Sequence, residues 1–186
     1  MVDPVARTLL RAGLRPDTVT WIGTIALVVS ALLLVAPGHL VAGAVVCGLL
    51  GLSDLLDGTM ARLSGTSGSW GSFLDSTLDR LADAAMLGSI AWYLAGHGPR
   101  WGMAAALVAL TCAQVTSYIR AKAESIGATC RVGLAERTER TTLILTGLVL
   151  SGLHPLVLPG AITVLAVASS ATVLQRIVHV RRQLLA

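Results

Sequence analysis

The sequence predicts an all-α membrane protein, an N-terminal amphipathic surface helix followed by six transmembrane helices. Two observations carry that prediction. Hydrophobic residues fill 54% of the 186 positions and charged residues only 13%, about half the charge of a soluble domain. So little charge cannot cover a water-facing surface, and so apolar a chain does not stay disordered. The charge is also clumped. Neither Thr18 to Ser53 nor Thr141 to Gln175 contains a single Asp, Glu, Lys or Arg. A spanning helix needs about 20 apolar residues, so each gap fits two helices and a turn.

The elements follow in order along a single domain, residues 1–186, with the surface helix in 1–15 and the bundle in 16–186. Val2, Val5, Ala6, Leu9 and Leu10 share one helical face away from Arg7 and Arg11, which suits a helix lying flat on a membrane. Arg15-Pro16-Asp17-Thr18 breaks it, because Pro16 biases Arg15 out of helix and Asp17 or Thr18 suits the next cap. The first span is expected at about Val19–Ala36, ended by Pro37-Gly38. The second covers about Leu40–Arg62 and turns polar in its last third. After the small-residue loop Gly65–Ser69, the third runs from about Trp70 to Ala95. Gly96–Pro99 turns into the fourth, about Trp101–Glu124, and a polar connection, Ser125–Arg131, follows. The fifth covers about Glu136–Leu153, His154–Gly160 makes a turn, and the sixth covers about Ala161–Arg182. No separate apolar core and cleavage site marks the first 17 residues as a signal peptide.

Orientation follows from the basic residues. All but two of the fourteen fall at one set of helix ends or just beside it; Arg100 lies at the opposite set, and Arg80 lies among the acids of the third helix. The excess of positive charge marks the cytoplasmic side, so both termini are expected in the cytoplasm of a multi-pass cell-membrane protein. The formal charge is +4, yet no charge-dense, aromatic-interleaved surface suggests a nucleic-acid partner. Cys47, Cys112 and Cys130 are widely spaced and form no metal pattern.

Five aspartates fall within 30 residues at the inner ends of the second and third helices: Asp54, Asp57, Asp75, Asp79 and Asp83. Asp54 and Asp57 share a face at i, i+3, and Asp75, Asp79 and Asp83 share another at steps of four. Carboxylates so crowded repel one another and are costly at membrane depth. Hard oxygen donors without histidine suit Mg²⁺, Mn²⁺ or Ca²⁺ and not zinc. Two other readings compete: a helix cap paired with Arg62 and Arg80, and the relay of an ion-coupled transporter. Transporter sites lie near the midplane, however, and these acids sit at one face.

The spacing is more specific than the acidity. Asp54, Asp57, Gly58, Ala61 and Arg62 are followed, after eight residues, by Gly71, Asp75 and Asp79. This resembles the eight-position signature of the CDP-alcohol phosphatidyltransferases, including every spacer. The resemblance implies a Mg²⁺- or Mn²⁺-dependent enzyme with two ions held by Asp54, Asp57, Asp75 and Asp79, and with Asp79 as general base. It places the nucleotide of a CDP-linked lipid, CDP-diacylglycerol, against Gly58, Ala61 and Arg62. Small residues allow a close approach, and an arginine fork suits a pyrophosphate. It adds Asp17, Thr18, Val19 and Thr20 as a nucleotide contact, and Gly68, with Ser67 or Ser69 as the alternative. A homodimer is also implied.

The acceptor is read from the other inner ends. Those of helices four to six carry Arg120, Lys122, Arg131, Arg137, Arg140, Arg176, Arg181 and Arg182. Basic residues there suit a phosphorylated alcohol better than a plain one. The segments Ser117–Glu124, Gly133–Arg140 and Phe73–Asp83 resemble the inositol-phosphate-using branch of the family, the actinobacterial phosphatidylinositol phosphate synthases. That branch implies inositol 1-phosphate as acceptor, CMP as leaving group, and Arg120, Arg140 and Arg181 as the acceptor-phosphate residues. Glycerol 3-phosphate, used by the phosphatidylglycerophosphate branch, is the competing acceptor.

Overall fold

The computed structural model describes residues 3–65 and 68–185, with the side chains of Asp54 and Leu55 outside the described set. Every regular element among the described residues is helical. The chain divides into two compact units, Met1–Met86 and Leu87–Ala186.

In the first unit, α1 (Asp3–Arg11) has Asp3 in its first turn and Arg11 in its last, which complements the helix dipole at both ends. Helix α2 (Pro16–Ser30) begins three residues before the expected start. Arg15 is extended and Pro16 takes the first helical position, where its missing N–H costs nothing. Asp17 and Thr18 therefore sit inside the first turn, and the cap position falls to Arg15, which makes no side-chain cap hydrogen bond. A five-residue π-helical turn, Ala31–Val35, continues α2.

The expected second helix is two helices, α3 (Leu40–Gly51) and α4 (Ser53–Ser64). The Ser53 hydroxyl donates to the Leu50 carbonyl at 2.6 Å, a local bond that competes with the helical ladder. A Cβ on Gly23 would overlap the Ser53 side chain, so α2 crosses at the break. Helix α4 also packs against α1 and α2, and it ends at Gly65 with φ 66°, a left-handed cap open to glycine.

Helix α5 (Ser69–His97) runs through the boundary between the units. The second unit continues with α6 (Arg100–Ser125), α7 (Arg137–Leu150) and α8 (Val157–Leu184). Helix α8 packs along α6 and α7. It starts at Val157, inside the expected turn, because Pro159 falls in its first turn, where a proline displaces no intrahelical bond. The connection between α6 and α7 is held down: Ala128 and Cys130 are buried with Ala123, and Ile119 and Val180 pack on them.

Four stretches are long and apolar enough to cross a membrane: Pro16–Val35, Leu40–Ser64, Arg100–Ser125 and Val157–Leu184. Their outer faces carry exposed Leu33, Leu49, Val167 and Leu174, an arrangement stable against lipid and not against water. Helix α5 is long enough but carries Asp75, Asp79, Arg80 and Asp83. Helix α7 has 14 residues, about 21 Å at 1.5 Å per residue.

Candidate active site

The acidic positions lie on two helices of the first unit. Asp54 and Asp57 are in the first turns of α4, and Asp75 and Asp79 are in the N-terminal half of α5. Asp57 is buried at 7% exposure, and Asp75 and Asp79 are half-buried. Burial of an ionised carboxylate is tolerated only beside donors or cations. Arg80 Nη2 supplies part of that charge, 3.7 Å from Asp79 Oδ2 and 3.7 Å from Asp83 Oδ2. The arginine therefore stands between the proposed base and the fifth aspartate. Asp54, a predicted ligand, has its side chain outside the described residues. Among the described residues alone, no three His, Cys, Asp or Glu side chains gather closely enough to hold a metal ion. The motif donors on α4 and in the N-terminal half of α5 are nevertheless all carboxylates, which suits a hard divalent ion.

The predicted nucleotide residues surround the same helices. Arg62 is exposed, and its Nη2 donates to Thr59 Oγ1 at 2.9 Å. That bond fixes one edge of the fork and leaves the other donors for an anion. Among the described residues, a Cβ on Gly58 would meet only Arg62 Nη1, at 3.7 Å, and one on Gly71 would meet nothing within 4 Å. Ala61 is half-buried and Gly68 exposed, while Ser67 lies outside the described residues. On α2, Thr20 is buried and donates to the Pro16 carbonyl at 3.1 Å, and Thr18 and Val19 are half-buried in the same turn. Asp17 has a partner that sequence reasoning missed: Trp70 Nε1 donates to Asp17 Oδ2 at 3.0 Å. The start of α2 is thereby tied to the start of α5, next to Gly71.

The basic residues occupy the second unit and differ sharply in environment. Arg120 is exposed and pairs with Glu124, Nε to Oε1 at 3.0 Å. Arg140 is buried at 3% exposure, and its Nη1 donates to the Ala135 carbonyl at 3.4 Å. Arg181 is exposed and lines an apolar groove of about 430 Å³ with Lys122, Tyr118 and Ile177. Arg140 does not line that groove.

Arg176 is the second residue that sequence reasoning passed over, having counted it only among the inner charges. It is 5% exposed. Its Nε donates to the Val132 carbonyl at 2.8 Å, and its Nη1 donates to the Thr116 carbonyl at 2.9 Å. Its Nη2 lies 4.0 Å from Glu136 Oε1. The signal available in the sequence was a charge ending 35 uncharged positions, inside a helix and five residues before the next base.

Comparisons with known proteins identify the family. The family model for CDP-alcohol phosphatidyltransferases matches residues 14–175, a range that covers most of both compact units. The chain is 46% identical to a phosphatidylinositol phosphate synthase of Cutibacterium acnes, covering 98% of this chain and 93% of that protein. It is 42% identical to the synthase of Streptomyces avermitilis, covering 98% and 79%. Crystal structures of the Mycobacterium tuberculosis phosphatidylinositol phosphate synthase superpose closely at 42% identity. The form with CDP-DAG bound gives a TM-score of 0.93 over 97% of this chain and 93% of that one. The complex with manganese and citrate gives 0.94 over 97% and 88%. With the eight-position motif seated on α4 and α5, these matches show that the chain belongs to the CDP-alcohol phosphatidyltransferase family, a group of membrane-embedded, metal-dependent transferases.

Proposed function

We propose that this protein is a phosphatidylinositol phosphate synthase, transferring the phosphatidyl group of CDP-diacylglycerol to inositol 1-phosphate and releasing CMP. The observation that carries the reading is the buried and half-buried carboxylate set on α4 and α5 beside the exposed fork of Arg62. The synthases of Cutibacterium and Streptomyces, similar over nearly the whole chain, bear that name.

Arg62, Gly58, Ala61 and Gly68 receive the nucleotide, with Asp17, Thr18, Val19 and Thr20 at the start of α2. Asp79 takes the proton from the acceptor hydroxyl. The freed oxygen forms a bond to the β-phosphorus, and the bond from that phosphorus to the bridging oxygen breaks. The electron pair leaves on CMP. Asp54, Asp57, Asp75 and Asp79 would hold two Mg²⁺ or Mn²⁺ ions, which when bound neutralise charge on the pyrophosphate and the leaving phosphate. Arg120, Arg140 and Arg181 carry the acceptor phosphate. Arg176 joins them, because it is buried against the same segment that seats Arg140.

In the membrane, α1 lies on the surface and six spans follow, with α5 and the short α7 completing the set. Both termini and the carboxylates face the cytoplasm, the 1–186 chain works as one functional domain, and the protein acts as a homodimer.

The test uses purified protein with labelled inositol 1-phosphate, CDP-diacylglycerol and Mg²⁺. The expected result is labelled lipid with one CMP per product. Product formed with glycerol 3-phosphate and not with inositol 1-phosphate would move the chain to the phosphatidylglycerophosphate branch. Solute flux without CMP release would favour a transporter. Asp79→Asn should lower turnover about 10²–10⁴-fold with an unchanged melting curve; normal turnover would remove Asp79 from the base role.

A further inference from the structure

We infer that Thr172 of α8 is a positioning residue for the acceptor site: its hydroxyl latches the segment that seats Arg140. The inference rests on the proposed role of Arg140 as an acceptor-phosphate residue.

Thr172 is fully buried, at 0% exposure. Its Oγ1 accepts from the Leu134 amide at 3.1 Å and from the Ala135 amide at 3.0 Å, and it donates to the Ala168 carbonyl at 2.9 Å. One donor and two lone pairs are the whole capacity of a hydroxyl, so all of it is in use. The methyl end is engaged as well. Gly133 passes Thr172 at φ 151°, and a Cβ there would come within 2.5 Å of Thr172 Cγ2. Only glycine fits that approach, so the connection is pressed onto this face of α8.

The latch reaches Arg140 in one step. The same Ala135 whose amide is held by Thr172 offers its carbonyl to Arg140 Nη1 at 3.4 Å. Two further residues on α8 hold the same connection. Arg176, one turn on, grips Val132. Gln183, two turns beyond that, accepts from the Thr129 amide at 3.0 Å and donates to its carbonyl at 2.7 Å. Thr172 is uncharged and holds the segment at Ala135 itself, so its contribution is separable from direct attraction for a phosphate.

The experiment compares Thr172→Val, which keeps the shape and removes the hydroxyl, with Thr172→Ser, which keeps the hydroxyl. Leaving the buried Ala135 amide and the part-buried Leu134 amide without an acceptor shifts the segment. The KM for inositol 1-phosphate should rise about tenfold in Thr172→Val and the KM for CDP-diacylglycerol should change less than about twofold, since a hydroxyl lost at one site carries about one decade. Thr172→Ser should stay near wild type. Hydrogen exchange of the 128–140 peptide should be faster in Thr172→Val only. Wild-type acceptor KM in Thr172→Val, equal rises in both KM values, or a Ser variant as impaired as the Val variant would each overturn the inference. If the wild type makes no lipid from inositol 1-phosphate, it is the functional reading that fails. The exchange of the 128–140 peptide then decides the latch by itself: faster in Thr172→Val supports it, unchanged overturns it.

Discussion

Among the described residues, a Cβ placed on Gly58 meets only Arg62 Nη1, at 3.7 Å. No packing contact among them demands glycine there, which fits the proposed approach of a nucleotide to the helix. Gly58→Ala should therefore leave the melting temperature unchanged. One added methyl at a tight contact costs about 1–3 kcal/mol, so the KM for CDP-diacylglycerol should rise about tenfold. A fall in melting temperature with an unchanged KM would return Gly58 to a packing role. Arg176 and Arg181 separate in the same way. Arg176 is buried and hydrogen-bonded to two carbonyls, whereas Arg181 is exposed in an apolar groove. Removing a buried charged donor costs about 1.5–3 kcal/mol, while an exposed cation is screened. In acceptor-titration kinetics, Arg176→Ala should raise the acceptor KM about 10-fold or more and Arg181→Ala much less; the reverse order would make Arg181 the principal contact. At this scale the motif was legible because it is a fixed local spacing. The Asp17–Trp70 bond was not, because its partners are 53 residues apart and no local pattern joins them.

Between elements, periodicity and turn residues mark the helical stretches, but one expected helix is two, and helix ends move where side-chain chemistry outweighs the pattern. The unbroken apolar run from Leu40 reads as one helix. Its division at Leu52 depends on the Ser53 hydroxyl bonding backward to Leu50 and on α2 closing over Ser53 at Gly23. Pro159 reads as a turn residue, but at the start of α8 it is an ordinary first-turn proline. The α6–α7 connection reads as a polar loop, and the structure buries Ala128, Cys130 and Ala135 within it. No sequence rule identifies a loop whose amides are satisfied by the side chains of a distant helix. The α2 crossing yields a direct test. Gly23→Ala puts a methyl where Ser53 already sits, and overpacking of this kind costs about 1–3 kcal/mol. The melting temperature in detergent should fall, and Gly23→Ala combined with Ser53→Ala should recover part of the loss, since the Ser53 Cβ at 2.8 Å remains. No recovery in the double variant would show that the two residues are not in contact.

For the whole molecule, the decisive asymmetry is charge along the membrane normal. Arg100 is the lone basic residue at one set of helix ends, where the His97–Pro99 turn falls, while Arg120, Lys122, Arg131, Arg137 and Arg140 flank the connection around Gly127. Positive charge near short connections is retained on the cytoplasmic side. The four apolar stretches alone do not settle the threading, because α5 carries the acidic motif and α7 is short. A polar half-helix is tolerated at membrane depth where it is buried in protein or lines a wet cavity, and a short span is accommodated by local thinning of the bilayer. Six crossings therefore predict that Gly98 and Gly127 lie on opposite sides. The check replaces Cys47, Cys112 and Cys130 by Ala and introduces a single cysteine at Gly96, beside Gly98, or at Ser125, beside Gly127, both exposed. An added Cβ on Gly96 meets no described atom within 4 Å, and serine to cysteine changes one atom. In intact cells a membrane-impermeant maleimide should label Gly96→Cys and leave Ser125→Cys unlabelled until the membrane is opened. Labelling of both from outside would mean that α6 does not cross, and protection of both until lysis would invert the charge argument at Arg100. CMP release measured on the same two variants separates a threading error from a misfolded chain, since a chain that still turns over has kept its carboxylates in place.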